Sequence, residues 1–435
     1  MKKNLISTTN ITGFDAHCHI FNISYLLKEA KEIFFHWVIG NYPNEDGQRS
    51  KGLFKSDDRE SFKSKLKDLL KQIYELGSAC VDTEEDNFLF IRDQAKSTWN
   101  IELGAIPLMM DIYYYFAPPV TEDTQTIAVN KAFKINKEFN EAEFEEDFAE
   151  IVDEVFNPII EKNVSRAFKN DKFSKSLKTH IEEAKNNIKY QYTSKNLLYN
   201  KLFLTNGFKY HLDNLVNIVN KGYPIYPFLA VDPRRPGILD AICGDSLVSK
   251  NGPFYGVKLY PRLGYHPKSE PVKDILDICK ERDLPVTVHC GKSGFPPGVK
   301  WQYAEYGNPA NFEDSLDDKL RINFAHFGSN DDVNKLGKIT HPWADTIIDY
   351  MNTYDNVYSD LSCYTNSDDL KKIYDMFWND KSKIKDRMMY GSDYDVMYFT
   401  DRITLGNYYQ NFSNIFKLEL NKMRYDVPKK FLKID

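Results

Sequence analysis

Five side chains of this sequence have the types and placement to act on one substrate: His17, His19, His289, His326 and Asp393. His17 and His19 lie one residue apart in D-A-H-C-H-I-F-N, Asp15 to Asn22. In a strand alternate side chains share a face, so both imidazoles aim at one point while Cys18 aims away. The motifs V-H-C-G, A-H-F-G and G-S-D then set His289, His326 and Asp393 at the ends of apolar runs, with Cys290 turned away from the face of His289. A lone H-x-H is a common accident. Four histidines and an aspartate that each interrupt a run otherwise apolar point to metal ligation or proton transfer, because unpaired polar groups are rarely buried without a use.

Such residues need strands whose ends converge, and eight apolar runs supply them: Gly13–Ile20, Ile101–Met110, Tyr223–Val231, Phe254–Tyr260, Pro285–Cys290, Arg321–Phe327, Asn356–Ser362 and Arg387–Asp393. Each is rich in β-branched or aromatic residues, and most are followed by helical periodicity. Between the fourth and fifth, Val272, Ile275, Leu276 and Cys279 form one helical stripe behind Pro271, a residue suited to a first turn. Nearly continuous apolar strands alternating with helices predict a parallel sheet covered by helices. Eight units predict an α/β fold of the (β/α)8 TIM-barrel type, with an open doubly wound sheet as the alternative, and in such barrels the chemistry sits at the carboxyl ends of the strands.

One stretch breaks the rhythm. From Val120 to Asn206 there is no glycine and one proline, Pro158, while charged and apolar residues alternate as in a helix. The expected organisation is therefore a first part of the barrel over 1–119, a helical insertion over 120–206 between strands two and three, and the rest of the barrel over 207–435. Phe208 to Gly222 reads as the helix entering strand three, with Gly222 as its stop. Phe34 to Asp86 reads as mostly charged helix elaborating the first connection.

In these motifs the chain resembles the amidohydrolase superfamily, in the branch of metal-dependent hydrolases and decarboxylases that includes aminocarboxymuconate semialdehyde decarboxylase. The resemblance rests on D-A-H-C-H, V-H-C-G, F-A-H-F-G, N-V-Y-S-D-L-S, Y-G-S-D and the approach N-P-A-N-F-E-D, and spans about Gly13 to Asp395 without the insertion. It implies a divalent ion held by His17, His19, His289 and Asp393. Zn²⁺ suits imidazole and carboxylate donors, and Mn²⁺, Fe²⁺ or Co²⁺ fit the same set. It implies that Asp393 takes and returns a proton while His326 polarises the substrate carbonyl, or that His326 is itself a ligand. Lys258, in Y-G-V-K-L-Y, is either an ammonium that anchors substrate or, once carboxylated, a bridge to a second ion. Tyr260 shares its face, and Arg262 and Arg234 follow the ends of strands four and three, where an arginine either holds a substrate carboxylate or closes a loop ion pair. The implied reaction is hydrolysis of a C–O or C–N bond in a small carboxylated molecule, with non-oxidative decarboxylation as the alternative and a metal-containing barrel without catalysis as a third reading. Gly291 to Gly307, with Phe295, Trp301, Tyr303 and Tyr306, reads as a lid or as a surface loop pinned by its own rings.

Composition sets the remaining bounds. A formal charge of -6 with 42% hydrophobic and 28% charged residues describes a globular chain with no general attraction to nucleic acid or anionic membrane. The six cysteines are dispersed and form no C-x-x-C, which fits reduced thiols. The start, M-K-K-N-L-I-S-T-T-N, has no apolar stretch of the kind a secretory leader uses, so a cytoplasmic location is expected. The partner expected is a small-molecule substrate, and the insertion is a candidate surface for homo-oligomer formation. His36, His180, His211 and His341 have no matching partners in the pattern and are expected to be structural or solvent-facing.

Overall fold

The computed structural model describes residues 11–38, 56–77, 83–126, 141–164, 179–182, 202–292, 294, 301–329, 342–378, 382–394, 397 and 403–434. Each of the eight apolar runs contains one strand: β1 (Gly13–Cys18), β2 (Leu103–Pro107), β3 (Phe228–Ala230), β4 (Gly256–Leu259), β5 (Val286–Val288), β6 (Ile322–Phe324), β7 (Val357–Asp360) and β8 (Met388–Met389). All pairings are parallel, with β1 on β2 and β3 to β8 side by side in sequence order. Two further seams join these sheets. Ala105–Ile225 and Leu108–Phe228 are parallel bridges from β2 to the approach and start of β3. On the other edge, Ala16 N–H donates to Tyr390 O at 3.0 Å and Asp393 N–H to His17 O at 2.8 Å, linking β8 to β1.

The strands are shorter than the runs that predict them, and the missing residues lie largely at the carboxyl ends. There the backbone leaves the extended region: His326 (φ 61), Phe327 (φ 42), Cys363 (φ 64) and Asp393 (φ 48) are all left-handed. Such conformations are disfavoured for residues with a Cβ and gather where a side chain must be aimed. At Gly391 a Cβ would meet His17 Cβ at 2.6 Å, so only glycine lets the end of β8 approach β1 this closely.

The helix Glu270–Glu281 has Pro271 in its first turn and buries Val272, Ile275, Leu276 and Cys279 as its spacing predicts. Each such aliphatic side chain contributes about 1.5–3 kcal/mol when removed from water. The expected helix at Phe208 spans Asn206–Asn220 and ends before Gly222, whose φ of 85 marks the stop.

The helices α1 (Ile23–Val38), α2 (Ser56–Gly77), α3 (Glu84–Trp99) and α4 (Glu141–Val164) depart from expectation in one respect. α1 begins directly after β1 and nearly every side chain on it is buried, because α2, α4 and α5 (Asn206–Asn220) all pack on it. The charged helix expected in the first connection is α2. Together α1, α2 and α4 enclose a second apolar cluster separate from the main one, with Trp37 stacked on Phe62 at 4.0 Å and Phe34 on Phe144 at 5.2 Å. Lys31, fully buried, pairs with Glu145 at 2.5 Å, and Lys63 with Asp147 at 3.2 Å. Of the stretch 120–206, residues 120–126, α4, the helical residues 179–182 and the final residues from 202 are described; the remainder lies outside the described residues. Among the described residues no helix is long and apolar enough to cross a membrane.

Candidate metal centre

β1 delivers His17 and His19 to one face while Cys18, fully buried, packs in the main apolar cluster. The rings of His17 and His19 lie 5.6 Å apart, and that of His17 is 4.6 Å from the ring of His326. Asp393 Oδ1 is 3.4 Å from His19 Nε2. Among the described residues, one group could hold a metal ion by proximity, His17, His326 and Asp393, whose donor atoms all lie within 4.8 Å of one another. His289 joins through His326, its Nδ1 being 3.1 Å from His326 Nε2. All five residues are at most 7% exposed.

The outward hydrogen bonds fix which nitrogen faces inward. His19 Nδ1 contacts Leu108 O at 2.6 Å, and a carbonyl only accepts, so Nδ1 carries the proton and Nε2 offers its lone pair. His17 Nδ1 contacts Asp360 Oδ2 at 3.1 Å, with the same result for His17. Ser362 donates its hydroxyl proton to Asp360 Oδ1 at 2.5 Å; its contact at 2.8 Å with His326 Nδ1 must then be one it accepts. His326 Nε2 therefore also presents a lone pair. His17 Nε2 and Asp393 Oδ1 are buried and have no hydrogen-bond partner among the described residues. Three imidazole lone pairs and one carboxylate oxygen converge, and a divalent cation is the group that such a donor set fits.

Protonation agrees with this arrangement. Burial pushes His19 down to about 3 against the pull of Asp393, and His326 down to about 4. Burial alone would raise the Asp393 carboxyl, but His17, His19, His326 and the Cys363 thiol outweigh it and hold it below its ordinary value. At neutral pH the cluster thus offers neutral His19 and His326 imidazoles and an ionised Asp393 carboxylate.

Lys258 is buried, its Nζ has no hydrogen-bond partner among the described residues, and burial lowers its pKa to about 8 against the attraction of Asp360 and Asp393. Tyr260 packs its ring edge-on to His289 at 4.3 Å. Arg262 is buried and donates to Lys292 O, while its Nε has no hydrogen-bond partner among the described residues. Arg234 is engaged at every nitrogen: Nε and Nη2 on Asp232 at 2.8 and 2.6 Å, Nη2 also on Leu263 O, and Nη1 on Pro118 O. It takes the loop ion-pair alternative. Past β5, Gly294 (φ 141) lies so close that a Cβ there would meet Tyr260 Oη at 2.5 Å and His289 Nε2 at 2.8 Å. The loop after β5 thus begins against the centre, and Phe295 lies outside the described residues. The other histidines expected to be structural have local contacts where described: His36 with Tyr113 Oη at 2.5 Å, His180 with Ser24 Oγ at 2.6 Å, and His211 with its ring stacked on Tyr25 at 4.9 Å. His341 lies outside the described residues.

Sequence reasoning missed Asp360 and the two residues that follow Leu361. Asp360 accepts from His17, from Asn323 Nδ2 at 2.8 Å, from the His326 N–H at 3.1 Å, and from both the N–H and hydroxyl of Ser362. Burial favours its neutral form, yet His17, His326 and Ser362 outweigh burial and hold it far below the carboxylate range. Its signal was present: it is a polar intrusion at the end of β7, in the position that His289, His326 and Asp393 occupy after their own strands.

Residues 246–404 match the model of a family described as amidohydrolase. No match is found among curated proteins. Solved structures with some likeness include a 2,6-dihydroxybenzoate decarboxylase from Rhizobium, 13% identical over 52% of this chain and 76% of that one with a TM-score of 0.36. Another is a probable 2-pyrone-4,6-dicarboxylic acid hydrolase from Acinetobacter baumannii, 15% identical over 51% and 78% with a TM-score of 0.38. A third is a dihydroxybenzoic acid decarboxylase from Polaromonas with bound manganese, 14% identical over 52% and 75% with a TM-score of 0.36. At these scores they bear on neither fold nor function.

Proposed function

We propose, from the match of residues 246–404 to the amidohydrolase family model, that the chain is a metal-dependent hydrolase acting on a C–O or C–N bond of a small carboxylated molecule. The observation that carries this reading is the convergence of His17 Nε2, His19 Nε2, His326 Nε2 and Asp393 Oδ1, each with its remaining polar atom tied to a partner outside the cluster. His17, His19 and Asp393 would hold one divalent ion, Zn²⁺ first among Zn²⁺, Mn²⁺, Fe²⁺ and Co²⁺, and His289 and His326 would supply the rest of the donor set. The eight strands form one closed (β/α)8 barrel interrupted by the segment 120–206; the seams at Leu108–Phe228 and Ala16–Tyr390 support closure.

When bound, such an ion would supply Lewis-acid chemistry, bringing the pKa of a water to about 7 and polarising a substrate oxygen. Asp393, ionised at neutral pH, would take a proton from the attacking water and return it to the leaving group. His326 is a lone-pair donor held by Ser362, which favours ligation over hydrogen-bond donation to a developing oxyanion. Lys258 is a buried cation with no hydrogen-bond partner among the described residues and suits a substrate carboxylate, with Tyr260 lining its face and Arg262 beyond. Carboxylation of Lys258 to bridge a second ion is the lesser alternative.

The same unpartnered ammonium favours a second reading, non-oxidative decarboxylation, in which a carboxylate is held beside the ion and leaves as CO₂. Elemental analysis of purified protein tests the common premise: one divalent ion per chain is expected, and none would remove it. With a substrate found from a panel of lactones, amides and carboxylic acids, ¹⁸O from water enters the product of hydrolysis; CO₂ release without ¹⁸O incorporation into the non-gaseous product identifies the lyase.

A further inference from the structure

We propose that Cys363 is a positioning residue for this centre: its thiol donates to Asp393 Oδ2 and so keeps Oδ1 as the oxygen turned towards His17 and His19. The inference rests on the reading of Asp393 as a metal ligand. Cys363 Sγ lies 2.9 Å from Asp393 Oδ2, at the neighbouring ends of β7 and β8. Both residues have left-handed backbones, φ 64 and φ 48, and two such conformations in contact are retained where the surrounding structure fixes them.

That fixing is visible. The Tyr408 hydroxyl spans Leu361 O at 2.9 Å and Gly391 O at 3.0 Å, which sets the spacing of the two strand ends. The Asp393 N–H is held on His17 O at 2.8 Å. The backbone of Asp393 is thus anchored, and among the described residues the hydrogen bond to its carboxyl comes from the thiol, with His19 Nε2 standing 3.4 Å from Oδ1. A carboxylate free to turn can offer a cation either oxygen or both; a donor on Oδ2 fixes the plane and leaves Oδ1. Independently of the cysteine, Asp393 Oδ1 and His17 Nε2 are buried without a hydrogen-bond partner among the described residues, so the fixed oxygen faces a site that asks for a ligand.

The test titrates metal-free wild type, Cys363→Ser, Cys363→Ala and His17→Ala with Zn²⁺ against a chromophoric chelator, and records the visible spectrum of the Co²⁺ forms. Serine can donate as the thiol does and alanine cannot, while all three side chains carry a Cβ and share the left-handed strain. Loss of a hydrogen-bond partner to a metal ligand costs about 10–100-fold in affinity, which is the weakening expected for Cys363→Ala, with Cys363→Ser close to wild type. The Co²⁺ spectrum of Cys363→Ala should also differ as the carboxylate reorients. Should the alanine variant fail to fold by circular dichroism, Cys363→Gly removes the donor in a residue that favours this φ. Zn²⁺ affinity and a Co²⁺ spectrum unchanged in the donorless variant, with binding lost in His17→Ala, would overturn the role of Cys363 and leave the metal centre standing. A wild type that binds no divalent ion would overturn the centre itself.

Discussion

Two of the clusters of buried charge among the described residues are built on opposite plans. At the end of β2, Arg235 meets Asp111 through Nε and Nη2 at 2.7 and 2.8 Å, gives Nη1 to Phe203 O at 2.8 Å, and rests 3.9 Å over the Phe208 ring. Every guanidinium nitrogen is used, so the pair is closed on itself. At the strand ends the reverse holds: Asp360, Ser362, Leu108 O and Cys363 engage the outer atoms of His17, His326, His19 and Asp393, and the inner atoms are left facing one another. Glu29 Oε2, beside Arg235, also has no hydrogen-bond partner among the described residues, but it is one atom and not a converging set. Burial of charge does not by itself mark a functional site; atoms oriented by partners and then left unpaired do.

The largest expected effect breaks the open cluster. On the proposed function Asp393→Asn removes both the anionic ligand and the proton acceptor, so kcat should fall by about 10²–10⁴-fold, and metal per chain should drop in elemental analysis. The metal-free variant should remain folded in urea unfolding and lose no more than the stability that the lowered pKa of Asp393 represents, since its amide oxygen can still accept from the Cys363 thiol. A variant that keeps full metal content and turnover would show that the convergence is architectural.

The closed cluster should fail in the opposite way. Arg235→Ala strands the Asp111 carboxylate in the interior and should cost about 3–5 kcal/mol in urea unfolding, while metal content per folded chain is unchanged. Arg235→Met combined with Asp111→Leu should recover most of that loss. Metal loss in folded Arg235→Ala would mean that the two clusters are coupled.

Asp360 sharpens the contrast because it belongs to both plans: it is saturated with hydrogen bonds, yet it serves the open site. Asp360→Asn can no longer accept at every contact, and the tautomers of His17 and His326 lose their common reference. Metal affinity should weaken by about 10–100-fold by chelator competition, a smaller effect than removing a ligand. Affinity equal to wild type would show that the imidazoles are oriented by packing alone.

How much of this could be read beforehand follows the same division. His17, His19, His289, His326 and Asp393 were legible because each interrupts a short apolar run, and the eight runs located the eight strands for the same reason. Asp360 interrupts a run too, but a single aspartate after N-V-Y-S is equally a strand-ending acid, and its role exists only because β7 lies beside β6 and close to the end of β1. The tandem Arg234–Arg235 could not be resolved from sequence: one side chain closes on Asp232 two residues before it, the other on Asp111 across the fold. α1 carries a stripe, Leu26, Leu27, Ala30, Ile33, Phe34 and Trp37, but the burial of its charged side, Glu29, Lys31 and Glu32, depends on α2, α4 and α5 packing over it, which no local pattern shows.

The last expected effect is spread over pH and separates the clusters once more. On α1, Glu29 accepts from the Phe208 N–H and the Thr205 hydroxyl, and Glu32 from the Asn206 N–H at 2.6 Å, so two carboxyls from one helix cap the start of α5. Burial nevertheless pushes Glu29 up to about 7 and Glu32 up to about 8. The folded protein then keeps protons that the unfolded chain, with carboxyls near 4.3, has already released, so this contribution to stability is full below about 4.3 and is lost as pH rises through both raised values. Buried His19, His326 and His36, pushed down by burial to about 3, 4 and 3, give the opposite slope over much of that range and mask it in the wild type alone. The difference between wild type and Glu29→Gln/Glu32→Gln cancels the histidines. Between about pH 5 and 7 the wild type should lose stability relative to that variant by roughly 1 kcal/mol per pH unit for each carboxyl. Parallel urea-unfolding stabilities across that range would show that the capping carboxyls are ionised throughout, and that the helical cluster, unlike the strand ends, holds its charges at their ordinary values.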